Sequence, residues 1–389
     1  MNTDFIKGVI VPIITVIDEE EKINEAAMRA QVDYVINGGL HGILAFGSNG
    51  EFYQIEEEEM ERGFKIMVDQ AAGRVPVYFG IGAINTKKCV RLAKMAVANG
   101  AAGISILQPM FLKPNFNELF LHFKTIAEAV PEIPVLLYNN PGRVGYTLSA
   151  DLVEKLAHEV KNIVGMKDTS GDITQTEEFI RRNADVGFKV FGGKDTLLYA
   201  SLCIGAVGGV CTAGNFMPEL IVDIYNKYVA GDIKGSLAAQ YKLNPVRLAM
   251  DGASFPVAAK DMAIMRGQAA GKPYLPNLPT PEGASYDKMK KEMEKSRPGT
   301  LPQYLFLFRD HTLIGYLFLI AEKEGFCRAF PWWAVHNADE LPRNTALSFL
   351  AHGIQLSLDC GCPTLANRLQ AQLEDQKKGI GRRPEEACR

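Results

Sequence analysis

The residue with the most chemistry to offer in this sequence is a lysine that closes an apolar run. The run is Val164-Gly165-Met166, the lysine is Lys167, and Asp168-Thr169-Ser170 follow. Burial strips an ammonium of its hydration and lowers its pKa. A deprotonated amine is a nucleophile for a carbonyl carbon. The plain alternatives are a lysine that reaches out to solvent or pairs with Asp168. A second apolar run ends in Leu137-Tyr138-Asn139-Asn140-Pro141-Gly142-Arg143. Tyr138 can transfer a proton, and Arg143 can pair with a carboxylate through its planar fork. Taken singly, each reads equally well as a packed tyrosine and a surface ion-pair arginine. A third segment, Phe46-Gly47-Ser48-Asn49-Gly50-Glu51, is a glycine-flanked turn. Its N–H groups can hold a carboxylate or phosphate, and Ser48 adds a hydroxyl. The glycine pairs Gly192-Gly193 and Gly208-Gly209 fit either a phosphate site or close packing.

These segments must be placed by the elements around them. Short runs rich in Val, Ile, Leu, Phe, Ala and Gly occur at 9–14, 42–46, 77–81, 103–107, 135–138, 163–166, 189–191 and 206–211. Their weak alternation with polar residues marks strands buried on both faces, as parallel strands covered by helices are. Amphipathic stretches lie between them. Asn24, Thr86 and Ser149 can cap helices, and Thr174 with Glu177 has the spacing of a capping box. The acidic run at 56–59 suits a first helical turn, and Pro218 suits another. Eight strand–helix units by about residue 230 imply an α/β fold closed as a TIM (β/α)8 barrel, although an open doubly wound sheet would alternate in the same way. Helical patterns continue at 232–251, 255–270 and 282–296. The expected organisation is therefore a barrel over 1–230, a helical extension over 231–297 and a tail of unknown structure and function over 298–389. In such barrels the active site lies at the C-terminal strand ends, where the three segments fall.

Composition narrows the function classes. The chain has 389 residues, a formal net charge of −3 and scattered basic residues, which argues against a nucleic-acid partner. Seven cysteines in no regular framework fit a reducing compartment, so a cytoplasmic protein is expected. The N-terminal residues do not read as a signal peptide, and the most apolar stretch, 304–321, is interrupted by Arg309 and Asp310, so no membrane partner is expected. The tail holds Cys360, Cys362, His336 and His352, whose spacing matches no zinc pattern. His41, His122 and His158 give no Ser–His–Asp arrangement.

Together, Gly47-Ser48-Asn49-Gly50-Glu51, Tyr138-Asn139-Asn140-Pro141-Gly142-Arg143 and Gly165-Met166-Lys167-Asp168 resemble, in order and spacing, the dihydrodipicolinate synthase / N-acetylneuraminate lyase family over roughly residues 5–295. The resemblance implies that Lys167 forms a Schiff base with pyruvate or a related 2-oxo acid. It implies that Tyr138 and Ser48 relay protons, and that the turn of Gly47 and Asn49 binds the substrate carboxylate. The backbone near Val210 would face the substrate and Arg143 a distal acid group. It further implies a homo-oligomer, tetramer or dimer, with no metal or organic cofactor.

Three departures from the synthase pattern stand out. Phe111 occupies the position of a relay tyrosine, Ser48-Asn49 replaces two threonines, and Tyr53, Met60, Ile84 and Met110 match the feedback site for lysine poorly. The expectation is a lyase or aldolase of a 2-oxo acid other than the lysine-pathway synthase. The competing readings are a phosphate-binding barrel and a barrel that binds a small acid without turnover.

Overall fold

Continuous apolar segments with both faces buried can pair only where helices cover them, and here they close on themselves. The computed structural model describes residues 1–296 and, as backbone, three strands beyond them. In chain order the elements are β1 (Gly8–Pro12), α1 (Glu25–Asn37), β2 (Gly42–Ala45), α2 (Glu57–Ala71), β3 (Val77–Ile81), α3 (Thr86–Ala98), β4 (Gly103–Leu107) and α4 (Phe116–Glu128). They continue as β5 (Val135–Asn139), α5 (Pro141–Val144), α6 (Ala150–Glu159), β6 (Ile163–Asp168), α7 (Ile173–Arg182), β7 (Lys189–Gly192), α8 (Leu198–Cys203), β8 (Gly208–Val210) and α9 (Pro218–Val229). Strands β1 to β8 form a closed parallel barrel in sequence order, with β8 returning to β1 through Ile10 opposite Val210. The closed (β/α)8 reading holds, and the open sheet is excluded. Helices α10 (Ile233–Ala249), α11 (Val257–Met265) and α12 (Ala284–Ser296) follow.

Helix starts follow local hydrogen-bonding chemistry. Asn24 and Ser149 cap α1 and α6 as expected, and Pro218 opens α9. Two caps fall elsewhere. Asn85, not Thr86, accepts the Lys88 N–H at the start of α3, because Asn85 holds the extended N-cap conformation and Thr86 is already the first helical residue. Asp172, not Thr174, caps α7 through the Gln175 N–H. Strand ends shift as well. β1 stops at Pro12 because the Ile14 N–H leaves the ladder for the Asn215 side chain at 2.9 Å. β6 runs on through Lys167 to Asp168, held by the register Tyr138 to Lys167 and Lys167 to Phe191.

Inside the barrel, Ile10, Leu44, Tyr78, Leu136, Phe191 and Val210 form one buried cluster. Tyr78 lies between glycines: a Cβ on Gly42 would sit 3.3 Å from its ring and one on Gly103 3.0 Å. At Gly208 a Cβ would lie 1.9 Å from the Gly8 carbonyl oxygen, so only glycine lets β8 close against β1.

The chain separates into two compact units, 1–293 and 294–389. In the second, β9 (Gln303–Arg309), β10 (Thr312–Ala321) and β11 (Cys327–Trp333) form an antiparallel sheet with β10 in the middle. The cysteines and histidines noted at 336, 352, 360 and 362 lie outside the described residues. Among the described residues no helix is long and apolar enough to cross a membrane.

The closure point is open to test. Gly208→Ala should push β8 off β1 and lower the unfolding free energy by at least about 1–3 kcal/mol. Urea denaturation would register this as an earlier midpoint with an unchanged slope. An unaltered midpoint would show that the strands can part without cost.

Candidate active site

The barrel register sets the first pair of functional residues. Tyr138 on β5 stands opposite Lys167 on β6, and successive strand residues face opposite ways. Both side chains turn into the barrel, where the Lys167 amine lies 4.3 Å from the centre of the Tyr138 ring. Lys167 is 5% exposed and Tyr138 6%. The next residue, Asp168, faces outward. Its carboxylate accepts hydrogen bonds from Asn139 (2.9 Å), the Ser170 hydroxyl (2.8 Å) and Thr176 (2.6 Å). The alternative in which Lys167 is consumed by Asp168, or reaches bulk solvent, is therefore excluded.

Burial pushes the Tyr138 phenol up, but the neighbouring Lys167 charge and hydrogen bonds with Ser48 and Lys167 outweigh it. The phenol sits below its ordinary value. Lys167, Tyr138 and Ser48 thus meet in one cluster. Ser48 opens the short 3₁₀ turn Ser48–Gly50 that follows Gly47 after β2. The first N–H groups of such a turn have no partner inside it, which leaves donors for an anion. The Asn49 side chain does not enter this cluster but donates to the Thr212 hydroxyl at 3.0 Å. Val210, 3% exposed, lines the barrel interior.

The turn is held by residues that the sequence reading did not single out. Glu51 ends it in the left-handed region at φ 56, as Phe46 begins it at φ 52, costly conformations for residues with side chains. Glu51 is fully buried and pairs with the Lys260 amine of α11 at 2.6 Å. It also accepts the Tyr274 N–H at 3.0 Å, while Lys260 donates to the Lys272 carbonyl at 2.7 Å. On the opposite side, buried Asp195 accepts the N–H groups of Thr212 (2.9 Å) and Ala213 (2.7 Å), fixing the loop after β8 that Asn49 touches. Between β4 and β5, Gln108 donates to the Tyr146 carbonyl at 2.7 Å and accepts the Asn140 N–H at 3.1 Å. A lysine beside Asp261 in the mainly apolar run of α11 was the available signal for Lys260.

Arg143 is not part of the buried cluster. It is exposed on α5, with its guanidinium stacked 4.1 Å from the centre of the Phe255 ring. Phe111 is 94% exposed and left-handed at φ 69. Met60 is buried in the core, whereas Tyr53 and Ile84 are exposed. The histidines described are engaged elsewhere. His41 accepts the Val9 N–H, His122 bonds Thr86, and His158 pairs with Asp185. Among the described residues no cluster of three or more His, Cys, Asp or Glu side chains could hold a metal.

A closed barrel with a buried lysine against a tyrosine at the C-terminal strand ends is the arrangement of class I, Schiff-base aldolases and lyases. The chain belongs to the dihydrodipicolinate synthetase family, whose model matches residues 5–295, and with that family it is a Schiff-base aldolase or lyase enzyme. It is 34% identical over 299 residues to the 4-hydroxy-tetrahydrodipicolinate synthase of Methanopyrus kandleri, covering 77% of this chain and 98% of that protein. The corresponding protein of Methanoculleus marisnigri is 36% identical over 272 residues, covering 69% of this chain and 92% of its own. Among solved structures, a dihydrodipicolinate synthase of Bacillus anthracis superposes with TM-score 0.72 at 31% identity, covering 75% of this chain and 99% of its own. YagE, a prophage protein of E. coli K12 solved in complex with pyruvate, gives 0.71 at 27% identity, covering 75% and 98%.

The ion pair beneath the turn gives the next prediction. Lys260→Met strands a buried carboxylate and should cost about 3–5 kcal/mol in denaturant unfolding. Adding Glu51→Gln should recover part of that loss, because the uncompensated charge is then gone. A double variant no more stable than the single one would disprove the pairing argument.

Proposed function

We propose that this protein uses Lys167 to form a Schiff base with pyruvate or a closely related 2-oxo acid and then makes or breaks a bond at C3, the carbon beside the former carbonyl. The observation that carries this reading is the amine of Lys167 packed on the Tyr138 ring inside a closed barrel. The amine attacks C2 of the oxo acid to give a carbinolamine. Tyr138, aided by Ser48, delivers a proton to the departing hydroxyl, and water leaves. The resulting iminium withdraws electrons from C3, so a proton or a C4 substituent can be released there and an enamine forms. The enamine can add to an electrophile in the reverse sense. The carboxylate of the oxo acid would lie on the turn of Gly47, Ser48 and Asn49, whose donors need no rearrangement to receive it. Val210 would line the same pocket through its backbone.

Arg143 is read as the contact for a second acidic group on the larger substrate. Stacking on Phe255 occupies the face of the guanidinium and leaves its N–H edge for a carboxylate. No metal or organic cofactor enters this scheme. We also read the enzyme as cytoplasmic and homo-oligomeric, dimer or tetramer. The exposed Phe111 and Leu112, 94% and 50%, supply an apolar rim for contact between copies. For residues 298–389, which lie beyond the region matched to the family, no function is proposed.

Within the family, we favour a lyase or aldolase distinct from the lysine-pathway synthase, since Phe111 offers no hydroxyl. The synthase itself is the second reading, favoured by the names of the relatives in Methanopyrus and Methanoculleus. Condensation of pyruvate with aspartate semialdehyde at an ordinary enzymatic rate would select the synthase.

Borohydride treatment in the presence of pyruvate should leave a reduced adduct on the peptide that contains Lys167, and Lys167→Ala should abolish it. Mass spectrometry that finds no adduct with pyruvate or other 2-oxo acids would remove the Schiff-base reading and leave a phosphate-binding or non-catalytic barrel. Arg143→Ala should raise KM for the true substrate about tenfold or more while changing kcat less, as loss of a charged hydrogen bond does. Steady-state kinetics with an unchanged KM would sink that role.

A further inference from the structure

Asn140 stands at the N-cap of α5, a position where an asparagine side chain normally accepts an N–H of the first helical turn. It makes no such bond. Its backbone is already engaged on both sides: the N–H donates to the Gln108 side chain at 3.1 Å, and the carbonyl accepts from Arg143 and Val144, each at 3.1 Å. The side chain, 6% exposed, turns inward and donates its amide hydrogen to the Tyr138 oxygen at 2.8 Å. A capping bond has been given up for one to the phenol.

An amide does not titrate near neutral pH and cannot carry a proton onward. It can only act on the phenol it touches, holding that oxygen in place and favouring the form that accepts hydrogen bonds. The Tyr138 oxygen is then served by Asn140 at its own strand end, by Lys167 and Thr169 from the neighbouring strand and the residue after it, and by Ser48 from the turn after β2. Phe111 brings no hydroxyl to this network.

We propose that Asn140 is a positioning residue of the active site, which fixes the Tyr138 oxygen and stabilises its phenolate during proton transfer. This rests on the reading of Tyr138 as the proton carrier, but its test does not depend on turnover.

The measurement is an ultraviolet difference titration of phenolate in the full chain, with Tyr138→Phe as the blank that isolates the Tyr138 component. Other buried tyrosines do not obscure it, since burial pushes Tyr146 up to about 12 and raises Tyr78 and Tyr274 as well. Asn140→Val should move the Tyr138 midpoint upward by about one pH unit, the effect of removing one hydrogen bond to a charged group. Asn140→Asp, equal in shape but without the donor, should move it further in the same direction and serves if the valine variant fails to fold. A midpoint that stays in place overturns the proposal. A midpoint that falls in the valine variant also overturns it, because the amide would then have been accepting from the phenol. Borohydride trapping of pyruvate on Lys167 in the wild-type protein tests the Schiff-base reading separately. Its loss in wild type would indict the Schiff-base reading rather than Asn140.

Discussion

One buried ion pair, Glu51 with Lys260, ties the glycine-flanked turn after β2 to the helix α11. The turn leaves β2 through a left-handed Phe46 and ends at a left-handed Glu51, so its backbone is costly to form at both ends. A free loop would relax away from such angles. Here the Glu51 carboxylate is buried and can be satisfied only where Lys260 and the Tyr274 N–H meet it. Desolvation lowers the Lys260 pKa and the Glu51 charge opposes that fall, which is the behaviour of a pair held together by mutual need. The helical extension beyond the eighth strand is thus part of the construction of the site. It works together with the Thr15 hydroxyl, which donates to the Gly50 carbonyl at 2.7 Å, and with the Asn49 amide on Thr212.

Much of this was legible in the sequence, for physical reasons. Strands buried on both faces read as unbroken apolar runs, and eight of them spaced by helical patterns leave few closures. Lys167 was visible because a charged residue in such a run needs an explanation. Single-residue features were harder. The choice of Asn85 over Thr86, and of Asp172 over Thr174, depends on which residue holds the extended N-cap conformation, and both types can do so. The pairing of Glu51 with Lys260 joins residues more than two hundred positions apart, and nothing local in either segment announces the other. The bond from Asn140 to the Tyr138 oxygen depends on a side-chain direction that sequence pattern does not encode.

The two-residue period of a strand explains why the lysine is available at all. Lys167 and Asp168 are neighbours in sequence, and in a helix or loop they could meet. On β6 they point to opposite sides. Asp168 is then drawn into a network with Asn139, Ser170 and Thr176 that ties β5 and β6 to α7. Asn139 extends it by accepting the Leu148 N–H beyond α5. The carboxylate that would have neutralised the amine instead stiffens the wall behind it.

The same alternation places Tyr138 inward and Asn139 outward, and then returns Asn140 to the barrel mouth. Consecutive residues of one strand end therefore do different work: one faces the amine, the next braces the outer wall, and the third closes over the phenol. Arg143 follows on a short helix outside this buried group, stacked on Phe255 where solvent reaches it. The buried lysine and tyrosine and the exposed arginine thus sit in different surroundings on neighbouring elements. The two regions are nonetheless joined, because the Asn140 carbonyl accepts the Arg143 and Val144 N–H groups of α5 while its side chain holds the Tyr138 oxygen.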